Sequence, residues 1–173
     1  YLDEWWGVDK EAHVKSLEFS FARGSTKPIS NGLKVACVGA GCASLTAAHD
    51  LLRLGYEVDI YEMMSMPGGM LTYGVPSYRL KNDLVKNECH AIEHLGAKIH
   101  YNMKIGRDIT LTELQEKYDS VFLGHGLWKS RDLPITGADH PKVIRGVEYL
   151  KVLGAGNKWK VGKHIVVVGG GNV

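Results

Sequence analysis

Residues 33–62 read LKVACVGAGCASLTAAHDLLRLGYEVDIYE, and no other stretch restricts the fold as much. An apolar strand, Val35 to Val38, runs straight into Gly39-x-Gly41-x-x-Ser44. Leu45, Ala48, Leu51, Leu52 and Leu54 then give a helical face over Cys42 to Leu54, with Gly55 where a helix should stop. Val58, Ile60 and Tyr61 form a second strand, closed by Glu62. This is the order of a βαβ unit in a parallel sheet, and its glycine turn is of the kind that receives a dinucleotide. Gly39 allows the tight turn, and Gly41 lets the backbone approach a pyrophosphate. The third position must be small so that helix and strand can pack closely. Serine at 44 adds only a hydroxyl beyond alanine, which is expected to turn back to a backbone carbonyl. Glu62, 23 residues beyond Gly39, would accept hydrogen bonds from an adenosine ribose and disfavour a 2′-phosphate, which points to FAD or NAD rather than NADP at this turn. The alternative is a flavodoxin-like or other α/β domain whose glycine turn binds nothing.

The rest of the chain extends this pattern. Tyr1 to Val14 spaces Leu2, Trp5, Trp6 and Val8 as an amphipathic helix that needs a partner surface, and Ser20 to Gly32 reads as a linker. Residues 63–80, MMSMPGGMLTYGVPSYRL, hold no period and are expected to be loop, with glycines that admit a planar ligand and Tyr73 placed to wall it. A helix is expected over Lys81 to Leu95, stopped by Gly96. A strand follows at Ala97 to Tyr101, then a short helix capped by Thr110 or Thr112. Ser120 to Leu123 reads as a strand ending on Gly124-His125-Gly126, and Gly146 to Leu153 as one more helix. Ile165 to Val168 reads as a further strand running into Gly169-Gly170-Gly171-Asn172-Val173.

Composition excludes several classes. At 173 residues the chain holds one full core. A net charge of +2 gives no nucleic-acid surface, and no apolar run is long enough for membrane insertion or a signal peptide, so a cytoplasmic location is the default. Cys37, Cys42 and Cys89 have no C-x-x-C spacing, so no metal site is indicated. Cys42 and the pair His90 and His94 read as packing and solvated residues. His125, at a strand end beside a cofactor turn, is a candidate contact. Arg79, just past the glycine-rich loop, reads as a phosphate or flavin partner or as a surface residue. Met63, Met64 and Met66 read most simply as core and loop filling.

Together, VGAGCASL, YE followed by PGGMLTYGVPSYRL, EHLGAKI, NMKIGRDITLTEL, YDSVFLGHG and VVVGGGNV resemble the FAD-containing small-subunit family of glutamate synthase. That family also includes the flavin segment of dihydropyrimidine dehydrogenase. The resemblance implies a Rossmann-like α/β FAD-binding domain with a parallel sheet, an N-terminal helical extension, and the first strand of a truncated second dinucleotide-binding domain. The divisions implied are 1–30 (tail of an upstream iron–sulfur helical domain, with linker), 31–155 (FAD-binding, incomplete) and 156–173 (start of an NAD(P)H-binding domain). It implies that Gly39, Gly41, Cys42, Ala43 and Ser44 surround the FAD pyrophosphate and that Glu62 meets the ribose, with Met63 beside it. Gly69, Met70 and Leu71 would line the flavin side, with Arg79, Gly124, His125 and Gly126 nearby and Ile105 at adenine. Gly169, Gly171, Asn172 and Val173 would open the NAD(P)H turn. The chain departs from the family at Cys42 and Ser44, where proline and glycine are usual, and at Gly124-His125-Gly126, where alanine-threonine-glycine is usual. The implied activity is hydride transfer from NAD(P)H to FAD and onward to iron–sulfur clusters or a partner redox subunit, within an oligomer. No side chain need act as acid or base. A non-catalytic subunit that holds FAD or serves assembly is the alternative.

Overall fold

A computed structural model describes residues 28–131 and 133–171. The helix expected near the N-terminus, most of the linker, Asn172 and Val173 lie outside the described residues.

The opening βαβ unit forms as its pattern requires. Strand β1 (Lys34–Val38) is buried on both faces, with Ala36 and Cys37 fully inaccessible. It leads through Gly39 into helix α1 (Cys42–Arg53) and strand β2 (Glu57–Tyr61). Helix α1 sets Ala48 and Leu52 in the core, but Leu54, expected on the same face, is 68% exposed. Leu54 falls two residues after Leu52, about 200° round the helix from it, which turns it to solvent. Gly55 reverses the chain at φ +87°.

The loop after Glu62 contains one helical turn that the sequence pattern does not announce, α2 (Met70–Tyr73). Helix α3 (Asn82–Leu95) buries Val85, Cys89, Ala91 and Ile92 and stops at Gly96. Strand β3 (Lys98–His100), helix α4 (Leu111–Lys117) and strand β4 (Ser120–Leu123) follow. Thr110 caps α4 by accepting from the Glu113 N–H while the Glu113 carboxylate accepts from the Thr110 N–H. Helix α5 (Gly146–Gly154) crosses α2 at Gly154, where a side chain would strike the Thr72 and Tyr73 backbone. Ile165 to Val168 form no strand. They are 63% to 88% exposed, because no described segment pairs with their backbone.

The four strands pair in parallel in the order β3-β2-β1-β4. Alternate residues of β1 feed two cores. Val35 and Cys37 join Ala48, Leu52, Val58, Ile60 and Ile92 on the face under α1 and α3. Ala36 joins Tyr61, Leu114 and Tyr118 under α4. This is a Rossmann-like α/β layering. The chain moves outward from β1 to β2 and β3, then returns to β4 on the other side, which leaves a crevice at the carboxyl ends of β1 and β4. No helix among the described residues is long and apolar enough to cross a membrane.

Gly55→Ala tests the turn that closes α1. It forces a side chain to φ +87° and against the Ile29 carbonyl oxygen, so it should cost more than about 1 kcal/mol in urea unfolding.

Candidate functional site

Three glycine-rich turns from distant parts of the chain meet at the carboxyl ends of β1 and β4. Gly39, at φ +90°, lies against the end of β4: a Cβ there would sit 2.9 Å from the Gly124 carbonyl oxygen and 3.2 Å from the His125 Cα. Gly41 and Gly69 face each other backbone to backbone, since a Cβ on Gly69 would be 3.0 Å from the Gly41 Cα. The Gly68 N–H donates to the Ala40 carbonyl at 2.7 Å. Each turn therefore comes close to another at positions where a side chain would intervene.

Glu62 fixes the arrangement. It is 4% exposed, and its carboxylate accepts the Ala40 N–H and the Met64 N–H, each at 2.7 Å. Two of the roughly four acceptor positions of a carboxylate are thus used inside the protein. Ala40 and Gly68 are structural members of this arrangement that the motif reading passes over. The signals for them were the small residue between two glycines and the Gly-Gly pair.

Helix α1 begins at Cys42, so Cys42, Ala43 and Ser44 carry N–H groups without an intrahelical acceptor. No side chain caps this end and no acidic residue occupies its first turn. Helix α4, by contrast, is closed by its own threonine and glutamate. The start of α1 thus keeps both its free N–H groups and its share of the helix dipole for an external anion. Cys42 and Ala43 are exposed, whereas Ser44 is wholly buried. The Ser44 hydroxyl does not turn back to a carbonyl as expected: its oxygen has no hydrogen-bond partner among the described residues. It is instead packed against Gly124.

The remaining candidates divide. Met63 is half-buried directly beyond β2. Ile105 follows a stretch in which the Asn102 and Met103 N–H groups donate to the Met64 and Glu62 carbonyls. The backbone pairing thus holds Ile105 on the Glu62 side of the crevice. Gly69 begins α2, with Met70 exposed and Leu71 half-buried. His125 and Gly126 are exposed next to the Gly39 turn. Arg79 is exposed and makes no side-chain hydrogen bond or ion pair with the glycine turns among the described residues. Gly169 and Gly171 are exposed, with open space around them.

Tyr73 does not wall a ligand. It is 1% exposed, its hydroxyl accepts the Met66 N–H at 3.1 Å, and its ring meets Trp128 edge-on. It anchors the loop from beneath. Thr72 does the same by donating to the Pro67 carbonyl at 2.6 Å. His90 bonds to Glu93. A cavity of about 250 Å³ opens between α1 and α3, lined by Cys42, Leu45, Leu71, Val85 and Cys89 among others. It flanks the turns rather than joining them, since Gly39, Gly41 and Gly124 do not line it.

Residues 33–173 match the family model described as pyridine nucleotide-disulphide oxidoreductase. The chain belongs to that family. Among its relatives, the NADP(+)-dependent formate dehydrogenase subunit beta of Moorella thermoacetica is 42% identical over 151 residues, covering 86% of this chain and 21% of the relative. The glutamate synthase [NADPH] small chain of Azospirillum brasilense is 35% identical over 177 residues, covering 95% and 37%. The chain therefore spans well under half the length of these relatives. Among solved structures, Mycobacterium tuberculosis FprA in complex with NADPH superposes with a TM-score of 0.64 at 27% identity, over 69% of this chain and 28% of FprA. The glutamate synthase small-chain resemblance read from the motifs thus agrees with these relatives, and the Rossmann-like fold with the solved structure.

Two outcomes check the site. Glu62→Gln turns an amide N–H toward either the Ala40 or the Met64 N–H, so the buried donor left without an acceptor should cost about 1–3 kcal/mol in denaturant unfolding. Burial pushes the Cys37 thiol up to about 11. Burial, aided by Glu88, Glu93 and Cys42, pushes Cys89 up to about 12. Thiolate is the reactive form, so iodoacetamide at mildly alkaline pH should alkylate the exposed Cys42 alone in the native protein, with Cys37 and Cys89 reacting only after unfolding, as read by peptide mass spectrometry.

Proposed function

We propose that this chain is the FAD-binding part of an NAD(P)H-dependent oxidoreductase. In the intact protein, hydride passes from NAD(P)H to FAD, and electrons pass onward to iron–sulfur clusters or a partner subunit. The observation that carries the reading is the meeting of three glycine turns at the uncapped start of α1, with Glu62 at the end of β2. The free N–H groups of Cys42, Ala43 and Ser44 would bind the pyrophosphate. Glu62 would accept from the ribose with the acceptor positions it does not use internally, while its bonds to Ala40 and Met64 keep the turn in place. Gly69, Met70 and Leu71 would border the flavin from α2, and Ile105 the adenine. His125 and Gly126 would face the cofactor from β4, and Arg79 would approach its charge only through movement of its exposed side chain. FAD, when bound, supplies the two-electron chemistry, and this chain's own residues bind and orient it.

Residues 31–155 form the FAD-binding unit in this reading. Residues 156–173 open the nicotinamide-nucleotide unit, with Gly169, Gly171, Asn172 and Val173 in its first turn. That division accounts for the exposure of Ile165 to Val168, whose pairing partners would lie in the second unit. The relatives are named as subunits of formate dehydrogenase and glutamate synthase, which supports a partner redox subunit for the parent of this chain. Its setting would be the cytoplasm.

FAD titrated into the purified chain should co-elute on gel filtration and raise the thermal midpoint, by an amount equivalent to about 2.7 kcal/mol at a hundredfold excess over the dissociation constant. A chain that takes up no FAD at micromolar concentration, with no thermal shift, would overturn the reading.

A further inference from the structure

Gly124, at the end of β4, is crowded from two sides. A Cβ built on it would fall far inside contact distance of the Ser44 Oγ, 3.2 Å from the Ser44 Cβ and 3.1 Å from the Phe122 ring. From the other side, the Gly39 turn comes up against the Gly124 carbonyl. Yet Gly124, unlike Gly39, does not have the left-handed φ that demands glycine. Alanine is conformationally admissible there, and only space forbids it. The Phe122 ring is 38% exposed and can move aside. Ser44, the third residue of α1, is fully buried; its Oγ can rotate, but its Cβ is fixed by the helix and stays at 3.2 Å.

We propose that Ser44 and Gly124 are a matched pair of positioning residues. Close approach of helix and strand at a dinucleotide turn calls for a minimal side chain at the position Ser44 holds. Here the missing volume is supplied from the opposite side: β4 presents a glycine, and the serine fills the space. The combined bulk of the two positions sets how closely the start of α1 lies over the ends of β1 and β4, and hence where the pyrophosphate-facing N–H groups point. The Ser44 hydroxyl acts through its volume, since it has no hydrogen-bond partner among the described residues. This rests on the dinucleotide reading above, but the pairing itself can be tested without a ligand.

The test uses S44A, S44G, G124A, S44A/G124A and S44G/G124A, with FAD affinity from fluorescence quenching and thermal midpoints of the ligand-free chains. S44A leaves unfilled the space that the hydroxyl takes up, so it should weaken FAD binding about three- to tenfold. G124A should weaken FAD binding about ten- to a hundredfold, the usual range for an overpacked site. S44A/G124A should recover part of this, because the two Cβ atoms would still be only 3.2 Å apart. S44G/G124A should recover most of the affinity, despite the cost of glycine in a helix. Parent-like affinity in G124A, or an S44G/G124A chain no better than G124A, overturns the proposal. If G124A fails to fold, a folded, FAD-binding S44G/G124A supports it and an unfolded one overturns it. If the parent chain takes up no FAD, the cofactor reading fails separately. The thermal midpoints of the cycle then decide the pairing: coupling between the two sites supports it and additivity overturns it.

Discussion

The Glu62 carboxylate is the interaction on which the site depends. By accepting the Ala40 N–H and the Met64 N–H, it joins the turn after β1 to the start of the loop after β2. The β3 side is tied in as well, because the Glu62 backbone accepts from Met103 and donates to His100. One buried acid thus ties three segments together, alongside the backbone bonds from Gly68 to Ala40 and from Asn102 to Met64. A turn of this kind needs no ligand to take its shape, which spares binding the entropy of ordering it.

Around that acid, the site is made of backbone. Gly39 meets Gly124, Gly41 meets Gly69, and the Gly68 N–H reaches the Ala40 carbonyl. Side chains enter mainly as supports from below: Tyr73 and Thr72 pin the loop through Met66 and Pro67. Such a surface suits a ligand recognised by its phosphates, because main-chain N–H groups and a helix dipole attract an anion without a charged side chain.

Much of this was legible in the sequence, and the failures have physical causes. The βαβ unit could be read because a strand buried on both faces and a helix of regular period leave local marks, and Gly55 and Gly96 end their helices where expected. The single turn α2 left none, since four residues between glycines carry no period. Tyr73 was misread because an aromatic beside glycines looks the same whether it faces a ligand or supports a loop; only its burial beneath Met66 distinguishes them. Ile165 to Val168 have a strand's composition, but pairing is nonlocal and a β-former without a neighbour stays unpaired. Within the site, Glu62 was found by its spacing, while its internal bonds to Ala40 and Met64 were not, because they depend on how the turn folds over it.

A backbone-built site also explains which departures from a familiar motif matter. Cys42 and His125 stand at unusual positions, but both are exposed, so changing them leaves the converging backbones where they are. Positions 39, 41, 44, 69 and 124 point inward, each against another segment. At 44 and 124 one residue can grow only if the other shrinks, whereas 39 and 69 face backbone that cannot give way. Motif positions read singly therefore overstate the oddity of Ser44: its size is a property of the contact with Gly124, and β4 lies too far along the chain for a local motif to include it.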